Sequence, residues 1–170
     1  AAETHGVRPI PAKLPGMSAA LLVAHSWLRW VVLLLGVLAV VRAVVGRSSG
    51  RRWQAGDAAP GLWYSRALDV QVLVGLLLYF GFSPLLTAAG QDFGRAMATP
   101  AIRFWLVEHL AGMLAALALG HVGTARVRKA TTDAQRFGRA ALFYGLSLLA
   151  VVLASPWPGL AYGRPLFRFF

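Results

Sequence analysis

The sequence predicts an all-α integral membrane protein, a four-transmembrane-helix up-down bundle with both termini on the outer, periplasmic side. Three observations carry this. Of 170 residues, 58% are hydrophobic and 14% charged, and the mean hydropathy is +0.61, a balance that a soluble domain does not tolerate. Four apolar runs recur along the chain, most of them long enough for a helix to cross about 30 Å of hydrocarbon. The net charge of +11 is concentrated between those runs. That pattern suits a protein facing anionic lipid rather than a nucleic-acid binder.

Residues 1–16 form the first segment, AAETHGVRPIPAKLPG. It lacks an apolar core and is rich in proline, so it reads as an extended arm at the membrane surface. His5 lies in it and is solvated. The bundle proper covers residues 17–158, with spans at about 20–45, 67–86, 101–123 and 140–155. Span one contains His25 and Arg29, four apart and therefore on one face. Trp27 and Trp30 near its start are interface aromatics, and Arg42 can snorkel at its end. Span two carries Asp69 and Gln71 in its first turns, and Pro84 kinks or ends it. Span three, AIRFWLVEHLAGMLAALALGHVG and the basic residues after it, is the stretch around which the chain is organised. It holds Glu108, His109 and His121, and each ionisable residue inside a span costs roughly 3 kcal/mol on insertion scales. Span four is short and stops at the PWP of residues 156–158. The tail, residues 159–170, is aromatic and basic and suits the interface.

Charge sets the orientation. The first and third loops hold Arg47, Arg51, Arg52, Arg66, Arg126, Arg128, Lys129, Arg136 and Arg139, whereas the second holds only Arg95. The first and third loops therefore face the cytoplasm. His25 and His109 then fall at a similar depth on the outer side. His121 lies about 18 Å further along span three at ~1.5 Å per residue, in an inner layer shared with Asp69.

Two histidines at one depth on two helices is the arrangement of a bis-imidazole haem b, which needs axial nitrogens from opposite sides and a flat slot between helices. Gly36 follows His25 by 11 residues and Gly120 follows His109 by 11, which returns each glycine to its histidine's face. With Gly112 they could open the slot. Arg29, with Arg103, suits the propionates. Glu108 and Arg29 also suit an interhelical ion pair. Asp69 with His121 reads as a hydrogen-bonded or proton-sharing pair. Cysteine is absent, which excludes disulfides and thiolate chemistry. No nucleophile triad, phosphate loop or metalloprotease motif is present.

HSWLRW at 25–30, LDVQVLVGLLLYF at 68–80, AIRFWLVEHLAGM at 101–113, GH at 120–121, FYG at 143–145 and SPWP at 155–158 stand in a characteristic order. Together they resemble a family of small bacterial four-helix membrane proteins of the cytochrome b-like type. The resemblance implies haem b held by histidines within the bundle, at His25, His109 and His121 taken singly. The leading expectation is an electron carrier of the bacterial inner membrane with one haem b and His25 and His109 as its axial iron ligands. Its partners are the lipid bilayer and a redox protein or further membrane subunits, with no nucleic acid. Two other expectations stand beside it: a haem-free accessory subunit of a larger respiratory or photosynthetic complex, and a proton-conducting bundle using Asp69, Glu108 and His121.

Overall fold

The computed structural model describes residues 15–169. Except for its last two positions, the arm expected over residues 1–16 lies outside them, His5 included. The described chain is helical, and four of its helical rods are long and apolar enough to cross a membrane: Gly16–Ser48, Ala55–Phe82, Pro100–Arg128 and Asp133–Leu153.

Helix α1 (Pro15–Ser48) has proline at its first position, where a missing N–H costs nothing. Gly50 follows its end with φ of 63°, the left-handed conformation that caps helices and that glycine adopts without strain. A short 3₁₀ turn, Ala55–Asp57, leads into α2 (Ala59–Leu76). The side chain of Asp57 is fully buried and ties the connection together. It accepts from Arg42 Nε at 2.8 Å, from both Arg51 Nη atoms at 2.7 and 2.6 Å, and from the Gln54 N–H at 2.8 Å.

The rod of α2 continues as a π-helical turn, Leu77–Phe82. Pro84 ends it two residues later, because the residue before a proline is driven out of the helical region; Ser83 has ψ of 117°. The second span therefore stops at Phe82, short of the expected 86. The second loop is itself helical, as α3 (Pro84–Gln91) and α4 (Phe93–Ala98). The third rod joins α5 (Pro100–Arg103), a second π turn (Phe104–Glu108) and α6 (His109–Arg128).

The fourth rod, α7 (Asp133–Leu153), begins well before the expected residue 140. Thr132 caps it by accepting from the Gln135 N–H at 3.2 Å. The expected third loop shrinks to a turn because hydropathy marks where hydrocarbon ends, whereas a helix runs on until it is capped. At 21 residues and ~1.5 Å per residue, α7 spans about the thickness of a bilayer core.

The rods pack in a ring in the order α1, α2, α6, α7, with α7 closing against α1. The start of α1 meets the end of α2 and the start of α6; its end meets the starts of α2 and α7. Consecutive rods are thus antiparallel, the expected up-down order. Less than a third of each rod's apolar window is buried inside the bundle, and Leu34 and Leu153 are each 70% exposed. An apolar exterior of this kind suits lipid, not water.

The interior is built from small residues and hydroxyls. Tyr64 O–H donates to Ser147 Oγ at 2.9 Å, and Ser147 Oγ–H donates to the Ala116 carbonyl at 2.6 Å. Thr124 Oγ1 lies 3.1 Å from Ser65 Oγ and 3.2 Å from Tyr144 O–H. Such interhelical bonds hold rods together where no hydrophobic difference separates core from lipid.

Candidate functional site

At the end of the bundle where α1 and α6 begin and α2 and α7 finish, the rods part around a cavity of about 530 Å³. Both π turns border it: Tyr79 and Phe82 from the first reach its wall, and the second ends at His109. A π turn inserts an extra residue into a helix and re-aims the side chains beyond it, and such turns are frequent at functional sites.

His25 from α1 and His109 from α6 both line the cavity, with ring centroids 6.4 Å apart and planes at 74°. The Nδ1–H of His109 donates to the Ala154 carbonyl at 2.7 Å. A carbonyl only accepts, so the proton sits on Nδ1 and Nε2 keeps its lone pair. Gln71 Nε2 donates to the His25 carbonyl at 3.1 Å and lies 3.3 Å from His25 Nε2. Three buried polar atoms of residues that line the cavity have no hydrogen-bond partner: His25 Nδ1, Arg29 Nε and Gln71 Oε1.

The glycine that makes room beside His25 is Gly75, where a Cβ would lie 3.1 Å from His25 Cε1. Gly36, Gly112 and Gly120 lie elsewhere, in contacts between rods. A Cβ on Gly36 would meet Tyr64 and Leu148, and one on Gly120 would meet Leu68. Gly112 still serves the site. It lets α6 approach Ala154 so closely that a Cβ there would overlap the Ala154 methyl, and this approach brings the Ala154 carbonyl within reach of His109.

The expected Arg29–Glu108 ion pair is not made. Glu108 pairs instead with Arg103 at 2.7 Å within its own rod, where both side chains are exposed. Arg103 is thereby separated from the cavity, and Arg29 alone of the two lines it. Arg29 donates instead to the carbonyl of Leu166 in the tail. His121 Nε2 and Asp69 Oδ1 lie 2.7 Å apart on the outside of the bundle, both exposed, and neither lines the cavity. Glu108 pairs with Arg103 and Asp69 with His121, so these three groups are held in two separate pairs.

The tail supplies residues that sequence reasoning placed only at the interface. Pro156, Arg164, Pro165 and Arg168 line the cavity, and the Arg164 guanidinium lies 5.1 Å above the Trp105 ring. Gln71 and the tail arginines had a signal in the sequence: an amide in an apolar run, and bases between aromatics.

The donor set suits a haem. Metal–imidazole bonds are about 2.0–2.1 Å long, so His25 and His109, with centroids 6.4 Å apart, would be near enough to hold one iron between them. Among the described residues no three His, Asp or Glu side chains converge. Two imidazoles alone make a poor site for a bare metal, but they complete the coordination of a metal already in a macrocycle. The volume falls in the ~300–1,000 Å³ range of cofactor pockets. The chain matches no protein-family model, no curated protein and no solved structure.

Proposed function

We propose that this chain is a multi-pass electron carrier of the bacterial inner membrane, cytochrome b-like, that holds one haem b between His25 and His109 near the outer surface. The observation that carries the proposal is the pair of imidazoles, His25 from α1 and His109 from α6, that line one cavity with centroids 6.4 Å apart. Haem b bound there supplies a one-electron couple. The chain's own residues bind and orient it. The Ala154 carbonyl fixes the His109 tautomer, a constraint that raises ligand basicity. Gln71 braces His25. Trp105, Tyr79, Leu110 and Met113 wall the cavity and exclude water, which tunes the potential through the local dielectric.

Sidedness is argued from charge. The nine Lys and Arg residues read in the first and third loops gather at the end opposite the cavity, which supports a cytoplasmic assignment for that end, with both chain ends outside.

The test is a dithionite-reduced minus oxidised absorption spectrum of the purified protein supplied with haem, repeated on His25→Ala and His109→Ala. A b-type band in the native chain that is lost in both variants is expected. A flat spectrum from folded, haem-supplied protein would end the cytochrome assignment and favour a haem-free subunit of a larger complex.

A further inference from the structure

Arg29 is buried, with 8% of its surface exposed, yet among the described residues no carboxylate pairs with it. Each described acid is engaged elsewhere. Asp57 holds Arg42 and Arg51, Asp69 holds His121, Glu108 holds Arg103, and Asp133 faces Arg136. Asp92 caps α4 at the Arg95 N–H. The sixth acid of the sequence, Glu3, lies outside the described residues. Arg29 has a carbonyl from Leu166 and the Trp30 ring 5.4 Å away, but these spread its charge without neutralising it. A buried charge without a counter-ion is costly.

Two more guanidinium side chains line the same cavity, and among the described residues no Asp or Glu does. Arg164 and Arg168 are brought there by the tail, which folds back across the cavity end and is bonded to α1. Trp30 Nε1–H donates to the Leu166 carbonyl at 3.1 Å, and Trp27 Nε1–H to the Arg168 carbonyl at 3.1 Å. Phe167 stacks on Trp30 with centroids 5.3 Å apart. The cavity is thus apolar along most of its wall, with three arginines and no acid at the end where the tail crosses.

We propose that Arg29, Arg164 and Arg168 form an anion-binding rim, so that the ligand of this cavity is an amphiphile with an apolar body and a carboxylate end clamped under the C-terminal tail. The proposal rests on the cavity described above and names the acid groups of its occupant. The same chemistry has two sources, the propionates of a porphyrin and the head of a lipid-derived fatty acid.

The experiment uses the full chain in detergent and two probe pairs: haemin against its dimethyl ester, and the fluorescent fatty acid cis-parinaric acid against its methyl ester. Affinity is read from tryptophan quenching or probe fluorescence. In the native chain at least one acid binds about tenfold or more tighter than its ester, the scale of a charge-assisted hydrogen bond. The double variant R164Q/R168Q loses that preference and R164K/R168K retains most of it, with melting temperatures unchanged. These side chains make no interhelical hydrogen bond, so the variants should fold; R29Q is the third arm. Acid and ester binding equally in the native chain, or neither pair binding, overturns the rim. So does a preference that survives both R164Q/R168Q and R29Q. Haemin and its ester binding equally through His25 and His109 would leave the haem assignment standing without the rim. An arginine-dependent preference for parinaric acid, with no haemin bound in either form, would leave the rim standing without the haem.

Discussion

At the scale of single residues, His109 is the most constrained group in the site. Its ring is held by one carbonyl, and that carbonyl arrives only because Gly112 lets two rods touch. Gly112→Ala should push α7 away from α6 and loosen His109 without removing either histidine. The expected result is a b-type band that is retained but weakened, with haem lost about tenfold more readily on transfer to an apo-acceptor. Gly61 is a control for packing alone. A Cβ there would overlap the Tyr144 ring, so Gly61→Ala should cost about 1–3 kcal/mol through overpacking, read as a lower melting temperature in detergent. Gly145 meets nothing within 4 Å. Gly145→Ala should be neutral or add up to about 1 kcal/mol through helix propensity.

At the scale of elements, the first connection stands out. It is held by one carboxylate that takes four hydrogen bonds. Hydrogen bonding to Asp57 also pushes the Arg51 guanidinium above its ordinary range. Asp57→Ala should lower stability by about 1–3 kcal/mol, the scale of hydrogen bonds to a charged group. Limited proteolysis within residues 49–58 should then report the released connection first, before any cut at the turn over residues 129–132. Cleavage at that later turn first would show that Asp57 is not what holds the α1–α2 connection. The π turns belong to this scale too. Both lie at the cavity end, where the rods must part, and among the described residues the opposite end has no π turn.

At the scale of the whole molecule, the bundle is asymmetric along its axis. One end carries the arginine-rich connections, and the other carries the cavity and the tail. On the sidedness proposed from charge, the cavity belongs on the outer side. A reporter active only outside the cytoplasm, fused after residue 170, should be active, and the same reporter inserted at the turn over residues 129–132 should be silent. The reverse pattern would invert the bundle and place the cavity on the cytoplasmic side.

The sequence by itself determined the fold class, the number of rods, their up-down order and the presence of His25 and His109 at one depth. Hydropathy and periodicity are local, additive properties, and they report where a helix is apolar and how far along it a residue lies. Tertiary structure alone decided the rest. Gly75, not Gly36 or Gly120, flanks His25, because a shared helical face does not say which neighbouring rod that face meets. Arg29 parts from Glu108, because Glu108 finds Arg103 on its own rod and Arg29 finds the Leu166 carbonyl of the tail. Arg164 and Arg168, far from α1 in the chain, reach the cavity because Trp27 and Trp30 hold the tail against it. Contacts between residues more than a hundred positions apart depend on how the chain closes on itself, and no window along the sequence contains both partners.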